Sequence, residues 1–136
     1  MPVPVTQSLS ALRAAADDGR LRAVCASFDI ELLTLFGSAL SSDNPSDIDV
    51  AVGFAHGAER DLIGAVGALS DLVPGDHLDI MDLDRAGPVA RVEALVGAQI
   101  LHESAAGAFS RRELAALGEY LDTAYLRQAL LRELAR

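Results

Sequence analysis

Three short segments with strand-like polarity constrain most strongly what this chain can fold into. Residues 30–36 form an apolar run that ends at Gly37, which is typical of a buried strand. Residues 47–53 and residues 77–81 alternate between polar and apolar side chains, as strands with one buried face do. A helical stripe at about residues 57–72 separates these two segments. We therefore predict an α/β or α+β fold built on a small mixed sheet that is flanked by helices.

Helical patterns also lie on both sides of these strands. Residues 8–27 predict one helix, or two helices broken at Asp18-Gly19. The sequence Ser110-Arg-Arg-Glu113 has the form of a capping box and predicts a long C-terminal helix that ends at about residue 134. No repeat or low-complexity tract divides the chain, so we expect residues 1–136 to form a single domain.

The predicted final helix carries a stripe of leucines between Leu114 and Leu134. Packing onto the sheet would explain this stripe, and so would docking of its outer part onto a partner. Arg111 and Arg112 lie in its first turn, where the helix dipole disfavours cations. Their placement indicates a counterpart outside the helix, either solvent, a bound anion or an acidic partner.

Composition excludes several classes of function. The chain is 51% hydrophobic and 23% charged, which is typical of a folded globular protein. Its formal net charge is −9 and it contains no lysine, so a covalent lysine nucleophile is excluded and non-specific binding to nucleic acid is not expected. No apolar run approaches the length of a membrane span, and we expect no membrane contact.

The single cysteine and the start of the chain indicate the compartment. Cys25 has no second cysteine with which to form an internal disulfide, and its place on an apolar helical stripe is typical of a core residue. The sequence Met-Pro-Val-Pro-Val-Thr lacks the charged start and the long apolar stretch of a secretion signal. We therefore expect a cytoplasmic protein.

Two aspartates share one face of the second predicted strand. Side chains at positions i and i+2 of a strand project to the same side, so Asp47 and Asp49 lie together while Ile48 and Val50 face the core. Neighbouring carboxylates repel each other unless a cation lies between them, and such oxygen ligands suit Mg²⁺ or Mn²⁺ held jointly with substrate phosphates. A solvated polar face would show the same pattern.

Two further features would complete such a metal site. In the third predicted strand Leu78 and Ile80 take the core face, which places Asp79 on the opposite face. If this strand lies beside the second one, three carboxylates could hold two metals for an in-line displacement at phosphorus. Gly37-Ser38 directly follows the first strand, where a glycine backbone and a hydroxyl suit a phosphate, although a simple turn has the same sequence.

The order of these features resembles the DNA polymerase β-like nucleotidyltransferase superfamily. A strand is followed by Gly-Ser, by Asp-x-Asp after eight further residues, and then by a helix and a strand with another Asp. Within this superfamily the chain looks like the minimal nucleotidyltransferases that serve as antitoxins in HEPN–MNT toxin–antitoxin pairs. The resemblance covers Leu32–Ser38, Asp47–Val52 and Leu78–Leu83, and continues more weakly through Ala98–Glu103 and the C-terminal helix.

The resemblance implies a role for each matching residue. Gly37 and Ser38 would hold the β- and γ-phosphates of ATP. Asp47 and Asp49 would bind Mg²⁺, and Asp79 would complete the metal site beside the acceptor hydroxyl. The implied reaction transfers AMP from ATP to a tyrosine of the HEPN toxin, an RNase that the added AMP silences, and the implied assembly is a hetero-oligomer with that toxin.

One departure from the family pattern keeps alternatives open. These proteins commonly carry an Arg soon after Gly-Ser, whereas this chain has no arginine or lysine between Arg22 and Arg60. A triphosphate would therefore meet backbone donors and metal, with any cation supplied by another part of the fold or by a partner. The alternatives are an antitoxin that neutralises its toxin by direct binding, and a nucleotidyltransferase that acts on a small molecule such as an aminoglycoside.

Overall fold

A mixed β-sheet organises residues 2–136, which are the residues that the computed structural model describes. Within them four strands follow the order β3-β2-β1-β4 across the sheet. The strands are β1 Ile30–Phe36, β2 Ile48–Phe54, β3 Leu78–Asp82 and β4 Gln99–Glu103. Strand β1 is antiparallel to both β2 and β4, whereas β2 and β3 are parallel. The predicted small mixed sheet is therefore confirmed.

Helices connect and cover these strands. In the same residues the helices are α1 Val5–Asp17, α2 Arg20–Ser27, α3 Ser38–Ser41, α4 Leu62–Ser70, α5 Pro88–Leu95, α6 Ala108–Asp122 and α7 Ala124–Leu134. The break predicted at Asp18-Gly19 is present, and Gly19 has the positive φ of +91° that separates α1 from α2. None of these helices combines the length and the apolar character needed to span a bilayer.

Helix α4 begins later than its apolar stripe predicts. It starts at Leu62 and not near residue 57. The carboxylate of Asp61 accepts a 2.9 Å hydrogen bond from the backbone N–H of Gly64 and so caps the first turn. The apolar periodicity extends into the preceding loop because Ala58 also packs against the core.

The start of the C-terminal helix differs from the prediction. Helix α6 begins at Ala108, after Gly107 with a φ of +88°, so Ser110 lies inside the helix and does not cap it. The carboxylate of Glu103, at the end of β4, accepts a 2.8 Å hydrogen bond from the backbone N–H of Phe109. The Glu103 carboxylate therefore satisfies a backbone N–H at the start of α6, which is the role that the sequence assigned to a capping box.

The predicted long C-terminal helix is also divided in two. The break between α6 and α7 falls at Thr123, whose hydroxyl donates a 2.8 Å hydrogen bond to the backbone carbonyl of Glu119. The side chain of Arg127 then donates a 2.6 Å hydrogen bond to the backbone carbonyl of Tyr120. These bonds satisfy the last carbonyls of α6 without a continuous helix.

The two faces of the sheet bury different cores. On one face, Leu33, Val50 and Val52 pack with residues of α1, α2 and α4, including the fully buried Cys25. On the other face, Leu32 and Ala51 pack with residues of α5 and α6. Met81 of β3 also packs on this second face. Because side chains alternate along a strand, Asp49 and Asp79, which lie two positions before Ala51 and Met81, project toward the α5–α6 face as well.

Candidate nucleotide and metal site

Three aspartates come together at one end of the sheet, on the α5–α6 face. Asp49 and Asp79 are direct partners in the parallel pairing of β2 with β3. Partners in register on neighbouring strands project to the same side of a sheet. Asp47 immediately precedes β2 and is exposed, as is Asp79, whereas Asp49 is half-buried. The structure thus brings together the three carboxylates that the sequence singled out.

The negative charges of these three carboxylates repel one another. Burial raises the pKa of Asp49 above its ordinary value of 3.8, and the negative charges of Asp79 and then Asp47 raise the pKa further. Within the described residues, none of the three aspartates forms an ion pair with an arginine or a histidine. A cation placed among these carboxylates would relieve their repulsion.

Gly37 is fitted to the Asp49 carboxylate. Phe36, the last residue of β1, pairs with Asp49 across the antiparallel ladder, which brings residue 37 beside that side chain. Gly37 has a φ of +78°, and a Cβ built on it would lie 2.5 Å from Oδ2 of Asp49. Both the backbone conformation and the close approach therefore require glycine at this position.

Ser38 connects the glycine turn to the first aspartate. It is the first residue of the short helix α3, and its hydroxyl oxygen lies 3.4 Å from the backbone carbonyl oxygen of Asp47. This contact is long for a hydroxyl donor, whose usual distance is about 2.7–2.8 Å. The hydroxyl is only weakly engaged by the protein, which leaves it free to turn toward an acceptor on a ligand.

The donor set suits a metal that is shared with a substrate. Among the described residues, no three His, Cys, Asp or Glu side chains form a group that could hold a metal ion by itself. Mg²⁺ does not need a closed protein cage, because it is commonly bound by one or two carboxylates together with substrate phosphates and water. The carboxylate oxygens of Asp47, Asp49 and Asp79 are the hard ligands that Mg²⁺ and Mn²⁺ prefer. The residues present therefore fit such a shared metal.

Arg112 has an internal counterpart, so the expected external anion or solvent contact is wrong for this residue. Its guanidinium donates hydrogen bonds to Glu31 at 3.1 Å, to Asp84 at 3.0 Å and to the backbone carbonyl of Phe54 at 2.7 Å. The neighbouring Arg111 is exposed and approaches Glu31 only at 3.9 Å. The sequence contained no local signal for this cluster, because Glu31 and Asp84 lie 81 and 28 residues away from Arg112.

Comparison with known proteins gives matches among solved structures only. The sequence matches no known protein-family model, and no curated protein matches it. A chain from a crystal structure of the toxin–antitoxin MntA–HepT has a TM-score of 0.67 at 18% identity, with 88% of this chain and 97% of that chain covered.

Two further solved structures are similar over nearly the same length. A chain from a crystal structure of a toxin–antitoxin with AMP-PNP has a TM-score of 0.69 at 18% identity, covering 88% of this chain and 99% of that chain. A chain from the structure of the tri-AMPylated Shewanella oneidensis HEPN toxin in complex with the MNT antitoxin has a TM-score of 0.69 at 19% identity, covering 91% and 99%. The protein therefore has the nucleotidyltransferase fold that these toxin–antitoxin structures contain.

Proposed function

We propose that this chain is a cytoplasmic adenylyltransferase that moves AMP from ATP to a tyrosine hydroxyl of a HEPN-type RNase toxin, and that it thereby acts as the antitoxin. The observation that supports this most strongly is the convergence of Asp47, Asp49 and Asp79 beside Gly37-Ser38 on one face of a nucleotidyltransferase fold. Residues 1–136 would perform this function as a single domain.

The similar structures support the choice of donor and acceptor. One of them contains AMP-PNP, which is an analogue of ATP, and another contains a HEPN toxin that carries AMP. By analogy, ATP is the proposed donor for this chain, and a HEPN-type toxin is the proposed acceptor and partner in a hetero-oligomer.

The proposed donor site uses the residues on both sides of the glycine turn. Asp47 and Asp49 would hold Mg²⁺, or Mn²⁺, together with oxygens of the triphosphate. When bound, the metal neutralises negative charge at the α-phosphate. The backbone at Gly37 would lie close to the β- and γ-phosphates, and the hydroxyl of Ser38 would donate a hydrogen bond to one of their oxygens.

Asp79 is the proposed acceptor-side residue. It is exposed on the edge strand β3, so a hydroxyl of a docked protein can reach it. Its carboxylate would accept the proton of the tyrosine hydroxyl. The phenolic oxygen would form a bond to the α-phosphorus while the bond from that phosphorus to the oxygen bridging to the β-phosphorus breaks, and pyrophosphate would leave with the electron pair.

A transfer assay tests this proposal. The purified chain is incubated with ATP, MgCl₂ and a HEPN-type protein from the same organism, and the HEPN protein is then analysed by mass spectrometry. We expect at least one AMP on a tyrosine, and we expect Asp47→Asn and Asp49→Asn to abolish the modification. Asp43→Asn is the matched control, because Asp43 is an exposed loop aspartate outside the sheet. An unmodified HEPN protein with the unaltered chain would refute transfer.

The absence of an arginine after Gly37-Ser38 favours a second candidate, an antitoxin that acts by direct binding alone. The chain has no arginine or lysine between Arg22 and Arg60, so no arginine follows the glycine turn to meet a triphosphate. This candidate predicts a HEPN protein that is bound and inhibited but carries no AMP, with equal inhibition by the Asp47→Asn variant. Calorimetric titration of ATP with Mg²⁺ separates the two candidates further, since only the enzyme requires binding that Asp49→Asn weakens.

A further inference from the structure

The last two helices leave a large apolar surface uncovered, which we call the α6–α7 surface. Its members are the large hydrophobic residues that are exposed on these helices: Leu114, Leu117, Leu121, Tyr125, Leu126, Leu130, Leu131 and Leu134. Monomeric soluble proteins rarely expose a contiguous apolar patch larger than a few hundred Å². Of the two explanations that the sequence left open for the leucine stripe, packing onto the sheet does not hold for its exposed leucines.

Helix α7 in particular needs a partner. It has 11 residues and none of them is buried. Isolated helices of this length are only marginally stable in water, because most helical stability in proteins comes from packing of an apolar face. At its start Arg127 stacks over the Tyr120 ring at 3.8 Å, but this contact anchors only the first turn. A surface that buries the rest of α7 would supply the missing stabilisation.

The charges of the chain indicate what kind of surface this is. Residues 124–136 carry three arginines and one glutamate, a formal charge of +2, although the whole chain carries −9. The remaining residues, 1–123, therefore carry −11. On α6, the exposed stripe of Leu114, Leu117 and Leu121 has Glu113 and Asp122 next to its two ends, and residues 108–122 as a whole carry three acidic residues and two arginines, a formal charge of −1. A basic apolar helix and an acidic apolar stripe are thus both present in this chain.

We propose that a second copy of this chain covers the α6–α7 surface. Leu126, Leu130 and Leu134 recur every fourth residue, so they form one stripe on α7. In the proposed dimer this stripe packs on the stripe of Leu114, Leu117 and Leu121 in the partner protomer. A two-fold axis repeats the contact in reverse, so each protomer contributes one α7 and one α6.

The helix dimensions are compatible with this dimer. Helices of 15 and 11 residues are about 22 Å and 17 Å long, so α7 fits along α6. The buried residues of α6, Ala108 and Ala116, face the protein body, and the leucine stripe points away from it. The inference does not rest on the proposed enzymatic function.

Sedimentation equilibrium of the purified full chain tests the proposal. We expect twice the mass of one chain at micromolar concentration. Leu130→Glu, at a position that is 61% exposed in the protomer, is expected to weaken the dimer by about 100-fold while the far-ultraviolet circular dichroism stays unchanged. Ile63→Glu is the matched control, because Ile63 is 88% exposed on α4 and its variant is expected to stay dimeric.

A mixing experiment distinguishes the reciprocal contact from other dimers. Leu117→Glu should also give a monomer, because it alters the α6 half of the contact. An equimolar mixture of the Leu117→Glu and Leu130→Glu chains should then form a heterodimer through the one contact that keeps both stripes intact. An unaltered chain that is monomeric at 100 µM, a dimer that persists in Leu117→Glu, or a monomer that associates only with a HEPN protein would each overturn the proposal.

Discussion

The Oδ2 atom of Asp49 lies where a side chain on residue 37 would begin, because a Cβ built on Gly37 would be only 2.5 Å from it. The φ of +78° at Gly37 independently disfavours any other residue. The turn after β1 and the half-buried carboxylate of β2 therefore depend on each other. This relationship links the proposed phosphate contact to the proposed metal ligands.

Replacing Gly37 by alanine should damage both stability and the candidate site. With a φ of +78° and a ψ of −150°, Gly37 lies in a backbone region that is essentially confined to glycine and costs an alanine about 1–3 kcal/mol, and the new Cβ would push the Asp49 carboxylate from its place. We expect denaturant unfolding at a lower midpoint and an affinity for ATP with Mg²⁺ that falls by at least about tenfold, measured by calorimetric titration.

Gly57→Ala is the control for the Gly37 variant. Gly57 has a φ of +79°, and a Cβ built on it meets no atom within 4 Å. This variant should show the cost of the backbone conformation alone, with nucleotide affinity unchanged. Equal losses of affinity in the two variants would contradict a specific role for the contact between Gly37 and Asp49.

The raised pKa of Asp49 predicts a stability that depends on pH. A carboxyl whose pKa is raised in the folded state contributes stability that is fully present below its ordinary pKa of 3.8 and is lost as the pH rises through the raised value. Asp49→Asn should therefore have a higher melting temperature than the unaltered chain at pH 7 without divalent ions. The difference should disappear below pH 3.8. A variant that is less stable than the unaltered chain at pH 7 would refute the repulsion.

Arg112 should be one of the most important charged residues for stability. Its removal would leave Glu31, Asp84 and the carbonyl of Phe54 without their shared donor. We expect Arg112→Ala to lower the free energy of unfolding by about 1.5–3 kcal/mol, measured by urea denaturation. Arg111→Ala is the matched control, since the side chain of Arg111 is 62% exposed and should contribute less than about 1 kcal/mol. Similar decreases in the free energy of unfolding for the two variants would show that the contacts of Arg112 stabilise the protein no more than those of Arg111.

Cys25 should report on global unfolding. Burial raises the pKa of its thiol to about 12, so the reactive thiolate is scarce at neutral pH. We expect no reaction of the native protein with a disulfide reagent at pH 8 within minutes, and rapid reaction of one thiol after denaturation. Fast labelling of the native chain, compared with the same chain in denaturant, would show that α2 opens locally.

Much of the fold could be predicted from local patterns. The strand predicted over residues 30–36 matches β1, and the strand predicted over residues 47–53 is shifted by one residue from β2. These predictions succeeded because a strand buried on one or both faces must show its polarity along the sequence. The same period of two predicted that Asp49 faces away from the core residues Val50 and Val52. Helix boundaries were less accurate where a capping bond decides them, as at Asp61 and Thr123.

Which strands lie side by side was decided only by the tertiary structure. The sequence by itself determined that Asp49 and Asp79 each project from a strand opposite to its core side chains, because alternation is a local property. The parallel pairing of β2 with β3 decided that these two carboxylates become neighbours. In the same way, only folding brings Glu31 to Arg112 across 81 residues of chain. Contacts between distant residues depend on how helices and strands pack together, and no local pattern of polarity records that arrangement.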